Sequence, residues 1–104
     1  MLRSLKFTAL ALGMMGAASA MAAGPDLTVV SFGGANKAAQ VKAFYAPWEA
    51  AGNGKIVAGE YNGEMAKVKA MVDTKSVSWD LVEVESPELS RGCDDDVFAP
   101  LDPQ

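Results

Sequence analysis

The chain contains no histidine and one cysteine in 104 residues. Without histidine there is no Ser-His or Cys-His catalytic pair, and one thiol makes neither a zinc cluster nor an internal disulfide. Basic residues are also scarce, with nine Lys and Arg against thirteen Asp and Glu and a net charge of −4. Setting aside Arg3 and Lys6 at the N-terminus leaves −6, the wrong sign for a protein that follows a phosphate backbone. A nucleic-acid partner is therefore not expected. After residue 23 no long apolar run occurs, so half the chain being apolar reflects its first residues in part.

Those first residues read as an address. Arg3 and Lys6 precede an uncharged stretch from Phe7 through Leu10, Leu12, Met14 and Met15 to the small residues Ala18-Ser19-Ala20-Met21-Ala22-Ala23. A positive start, a short apolar centre and an A-x-A site are the parts of a secretory signal peptide, here residues 1–22, with cleavage after Ala20 or Ala22. The alternative is a membrane anchor, but the strongly apolar centre is shorter than the roughly 20 residues a span needs and is diluted by Gly13 and Gly16. Residues 23–104 are then expected to be exported and not membrane-spanning, in a compartment where disulfides form.

In residues 23–104, strands and helices alternate. Leu27 to Phe32 is a β-branched-rich run ended by Gly33-Gly34 and predicts a first strand. From Ala35 to Ala51 the residues Ala38, Val41, Tyr45 and Trp48 recur at helical spacing with Phe44 beside them, and Pro47 predicts a kink. Residues 55–61 predict a second strand, Asn62-Gly63 the turn that leaves it, and Met65, Val68, Met71 and Val72 the apolar face of a second helix ending near Thr74. Asp80 to Val84 predict a third strand. Ser86-Pro87-Glu88 predicts the start of a short third helix, with Ser86 as N-cap and Gly92 and Asp94-Asp95-Asp96 following quickly. The fold class is α/β, with a parallel sheet covered by helices. Three strands leave two exposed edges and a small core, so the chain reads as the first part of a longer protein; the alternative is a complete small domain with a free thiol.

In open α/β sheets ligands bind beyond the carboxyl ends of the strands. Phe32, Gly33, Gly34 and Asn36 follow the first strand and offer a stacking face, close backbone approach and a polar tip. They equally fit a plain turn with a core Phe. Glu83 and Glu85 lie two apart, so in extended backbone both carboxylates face one way. With Ser86 they suggest electrostatic recognition of a cationic or polyhydroxy ligand; the alternative is two solvated acids on a connection. Neighbours on one strand do not flank a glycosidic bond from opposite sides, so an enzyme has little support. Asp94 to Asp96 lack the spacing of a calcium loop and read as a solvated turn. Trp48, Trp79, Met65 and Met71 read as packing residues, and no metal or cofactor is expected.

Several segments together resemble one family. They are Leu27-Thr28-Val29-Val30-Ser31-Phe32-Gly33-Gly34-Ala35, Ala43-Phe44-Tyr45-Ala46-Pro47-Trp48-Glu49, Glu60-Tyr61-Asn62-Gly63, Trp79-Asp80-Leu81-Val82, and Glu85-Ser86 through Arg91-Gly92-Cys93 to Pro100-Leu101-Asp102. In that order they resemble the periplasmic solute-binding proteins of ABC transporters, in the branch for spermidine, putrescine and related solutes. The resemblance implies the start of the first lobe of a two-lobed type II fold that is several times longer. It implies a monomeric periplasmic receptor that binds a small-molecule solute and delivers it to an inner-membrane ABC permease without catalysis. Phe32, Gly33, Gly34, Asn36, Glu85 and Ser86 would lie on the cleft wall. Polyamine receptors carry an aromatic and acidic cluster after the first strand, where this chain has Phe32 followed by Gly-Gly-Ala. In similar sequences the cysteine at position 93 looks paired with one further along, and that partner is missing from this chain. A competing expectation is a small secreted interaction protein acting through an exposed sheet edge or Cys93.

Overall fold

The computed structural model describes residues 24–103; the signal peptide expected over residues 1–22 lies outside the described residues. Three strands, β1 (Leu27–Ser31), β2 (Ile56–Glu60) and β3 (Leu81–Val82), form a parallel sheet in the order β2-β1-β3. β1 pairs along its whole length with β2, from Leu27 opposite Ile56 to Ser31 opposite Glu60, and at Val29 and Val30 with Leu81 and Val82. The mixed α/β architecture expected from the alternating pattern is present. Among the described residues no helix is long and apolar enough to cross a membrane.

Between β1 and β2 run α1 (Gly34–Gln40), a π-helical segment at Val41–Tyr45, and α2 (Ala46–Ala50). The irregularity expected at Pro47 sits one turn earlier. Pro47 lies in the first turn of α2, but the backbone stays helical through Tyr45 and Ala46, so its missing N–H leaves the continuous ladder one donor short, and the wider π turn precedes it. Bonding five residues apart instead of four rotates the succeeding turn about the helix axis, so the expected apolar stripe does not hold. Ala38 and Val41 are exposed, whereas Tyr45 and Trp48 are half-buried beside Leu27, Val29 and Ile56.

The other sheet face carries α3 (Met65–Asp73), whose buried Val68 and half-buried Met71 and Val72 share a small cavity with Trp79 and Val82. Met65, expected in the core, is also only half-buried. Strand alternation explains the division: Leu27 and Val29 project to one side and Val30 to the other. β3 is shorter than the expected 80–84. The Asp80 carboxylate takes the Thr28 N–H at 2.7 Å, and the Asp80 and Glu83 N–H groups bond Thr28 and Val30 carbonyls at 2.9 Å on either side of the two paired residues.

The last helix, α4, spans Ser86–Asp94. Its cap is Glu85, extended at φ −79° and ψ 162° with no side-chain cap bond, so Ser86 is the first helical residue rather than the N-cap. Gly92 does not end α4 but lies within it. It is buried under the Phe98 ring, where a Cβ would come within 2.1 Å, so the missing side chain serves packing rather than termination.

Among the described residues the buried apolar side chains are Val30, Tyr61 and Val68, while Phe44, Val57 and Leu81 are substantially exposed. A core this small supports only marginal stability.

Candidate functional site

The carboxyl ends of all three strands converge on one polar cavity of about 340 Å³, lined by Phe32, Tyr61, Asn62, Gly63, Glu85 and Glu88. Each strand contributes. Phe32 follows β1, residues 61–63 follow β2, and Glu85 caps the helix that follows β3. The location obeys the rule for open α/β sheets.

Tyr61 is the centre of its apolar wall. It is 6 % exposed, stacks on Phe32 with ring centroids 5.4 Å apart and meets Trp79 edge-on at 5.6 Å. Lys67 Nζ lies 5.2 Å from the centroid of Trp79, within cation–π range. The Tyr61 hydroxyl donates to the Glu83 carbonyl. Trp79 is thus a packing residue, as expected.

Beside Asn62 and Gly63, two acidic residues, Glu85 and Glu88, complete the lining. Glu85 is exposed at the rim, while Glu88 is half-buried and its Oε2 is buried without a hydrogen-bond partner. Burial raises the Tyr61 phenol pKa first, and the charges of Glu83, Glu88, Glu64 and Glu85 raise it further. Tyr45 is raised likewise, by burial and then by Glu83. Neither local field favours an added negative charge. The Asn62 N–H donates to Glu64 Oε2 at 2.9 Å, which holds that carboxyl below its ordinary range and closes the turn presenting Asn62 and Gly63.

A pH titration tests these shifts. The chain's two tyrosines both favour the neutral phenol when folded. A phenol whose folded pKa is raised lends stability that is complete below the unfolded value of about 10 and is lost as pH rises through the folded value. Tyrosinate absorbance at pH 10 should therefore fall short of half its final amplitude, and unfolding should begin above that pH. Ordinary titration of both residues in the folded chain is the contrary outcome.

The structure separates the residues singled out from sequence. Phe32 and Glu85 line the cavity; Gly33, Gly34, Asn36 and Ser86 do not. Asn36 Nδ2 instead donates to Glu83 Oε2 at 2.7 Å, and Gly33 is buried against Glu60. Glu83 and Glu85, expected to face one way, have different surroundings. Ladder pairing ends at the Glu83 N–H, and the chain turns into the α4 cap before Glu85, so strand alternation no longer applies. Glu83 joins α1 while Glu85 joins Phe32 and Tyr61. Tyr61, Asn62, Gly63 and Glu88 complete the cavity. The rule applied to the first and third strands, extended to the second, would have found the first three of these.

Gly33 has φ +82°, and a Cβ there would lie 2.9 Å from the Glu60 side chain, whose Oε1 accepts from Lys37 Nζ at 3.1 Å. With ψ −166° Gly33 holds a positive-φ extended conformation that only glycine adopts readily, so Gly33→Ala is expected to cost about 1–3 kcal/mol from backbone strain alone, with a lower denaturation midpoint. An unchanged midpoint would show that the turn relaxes freely.

Asp94, Asp95 and Asp96 are exposed, and the described residues contain no group of three metal-ligating side chains. Cys93, the one cysteine of the chain, is exposed on α4.

No family model matches the chain, and no solved structure matches it. It is 65% identical over 91 residues to the gamma-aminobutyric acid-binding protein of Pseudomonas aeruginosa. That similarity takes in 88% of this chain and 26% of the relative, so the chain spans about a quarter of the length of the curated relative it matches, and the likeness does not single out spermidine or putrescine.

Proposed function

We propose that the chain is the opening part of the first lobe of an exported solute receptor, which captures a small amine-bearing solute and delivers it to an ABC permease without catalysis. The observation that carries this is the cavity itself, where the carboxyl-bearing residues Glu85 and Glu88 meet Phe32, Tyr61, Asn62 and Gly63, and where one oxygen of Glu88 is buried without a hydrogen-bond partner. A buried carboxylate oxygen lacking a donor is costly, and an ammonium group is the donor that also suits aromatic faces. The relative's name supports a small solute with one ammonium, gamma-aminobutyric acid. Polyamines share that group, so this part of a receptor alone does not choose between them.

Affinity in such receptors comes from two lobes closing on the ligand, because only the closed form makes both sets of contacts. The present chain supplies one side. Its own affinity for gamma-aminobutyric acid is expected near the millimolar range, about −4 kcal/mol. Amide shifts of the labelled protein should move at Phe32, Tyr61 to Gly63 and Glu85 to Glu88 during titration. Shifts confined to other residues, or none at all, contradict the proposal. Micromolar affinity for putrescine or spermidine by calorimetry contradicts the need for a second lobe.

A further inference from the structure

Glu83 lines no part of the cavity, yet it joins all three segments that do. Its N–H bonds the Val30 carbonyl of β1 at 2.9 Å, and its carbonyl accepts the Tyr61 hydroxyl just beyond β2. Its side chain reaches the helix after β1. Oε2 accepts Asn36 Nδ2 at 2.7 Å and Gln40 Nε2 at 2.9 Å, and Gln40 is itself fixed because its Oε1 accepts the Tyr45 hydroxyl at 2.7 Å.

These bonds span long stretches of chain. Asn36 follows Phe32 by four residues and Glu83 precedes Glu85 by two, so the Asn36–Glu83 bond fastens together the loops that carry the aromatic wall and the acidic rim. Bonds from amides to an ionised carboxylate are shorter and stronger than neutral ones. The first loop is also held by the Phe32–Tyr61 stack and the Lys37–Glu60 ion pair, but both tie it to the β2 end, and the Asn36 and Gln40 bonds to Glu83 tie it to the β3 end.

We propose that Glu83 is a positioning residue, whose carboxylate holds Asn36 and Gln40 and so fixes Phe32 relative to Glu85 across the cavity. Its effect on binding rests on the proposed solute site; its effect on loop geometry does not. The two are therefore measured separately.

The test uses the full chain with Glu83→Ala, Glu83→Gln, Gln40→Glu and the exchange E83Q/Q40E, which restores an amide–carboxylate pair in reverse. Residual dipolar couplings of backbone amides without ligand report geometry. In Glu83→Ala, couplings of residues 32–36 and 84–86 should change while those of β1, β2 and α3 stay. Glu83→Gln should show the same change in smaller degree, and the exchange should bring the couplings back. Affinity for gamma-aminobutyric acid should fall at least fivefold in Glu83→Ala and return to within twofold in the exchange. If Glu83→Ala does not fold, Glu83→Gln against the exchange decides the matter. Unchanged loop couplings in the single variants, or no recovery in the exchange, overturn the proposal. Couplings that respond as expected in a chain showing no ligand shifts support the positioning role and overturn the solute site.

Discussion

Tyr61→Ala is expected to abolish cooperative folding. Tyr61 is one of three buried apolar side chains among the described residues and links Phe32 to Trp79 through ring contacts. Removing a buried aromatic ring to alanine costs about 3–5 kcal/mol. The whole stability of a segment this size is roughly 4–12 kcal/mol, and a core of this extent belongs at the low end of that range. Urea titration followed by circular dichroism should show a sloping trace without a transition. Tyr61→Phe keeps both ring contacts and leaves the Glu83 carbonyl without its donor. That loss is about 1–3 kcal/mol, so a transition should persist at lower urea. A cooperative Tyr61→Ala variant would show that the described core is not what holds the chain together.

The second large effect concerns binding. Neutralising both carboxylates, with Glu85→Gln and Glu88→Gln together, should reduce affinity for an amine at least tenfold, taking a hydrogen bond to a charged group as worth roughly 1.5–3 kcal/mol. Glu88 should contribute more than Glu85, because Glu88 is half-buried while Glu85 is exposed to water and screened. Stability should change in the opposite direction. Amide for carboxylate at Glu88 removes the charge from a half-buried group one of whose oxygens has no hydrogen-bond partner, so its unfolding midpoint should hold or rise. Equal loss of affinity and stability in both single variants would point to collapse of the cavity instead of loss of an ammonium partner.

The order of elements was legible from residue patterning, because β-branched runs ended by glycine pairs and apolar residues three and four apart are local signals. The features that patterning missed depended on neighbours. Val41 has helical spacing but lies exposed, since the π turn before Pro47 re-phases the helix in a way that no apolar period records. Gly92 looked like a stop and is a socket for Phe98, a contact settled only when the next segment folds back. Within the cavity, Phe32 and Glu85 were legible from strand ends. The different placements of Glu83 and Glu85 were not, because they depend on the last ladder bond and on the donors that α1 brings to Glu83. Glu88 was legible as an acid in the first turn of a helix, but its burial is a tertiary fact.

The most direct test of an ammonium-seating cavity is an amide-shift titration of the full chain with three probes of similar length: gamma-aminobutyric acid, putrescine and butyrate. The first two carry an ammonium group and the third only a carboxylate. The account predicts that both amines move the signals of Phe32, Tyr61 to Gly63 and Glu85 to Glu88, with putrescine at least as effective, and that butyrate moves none of them. Equal movement with butyrate, or silence with both amines, would contradict it.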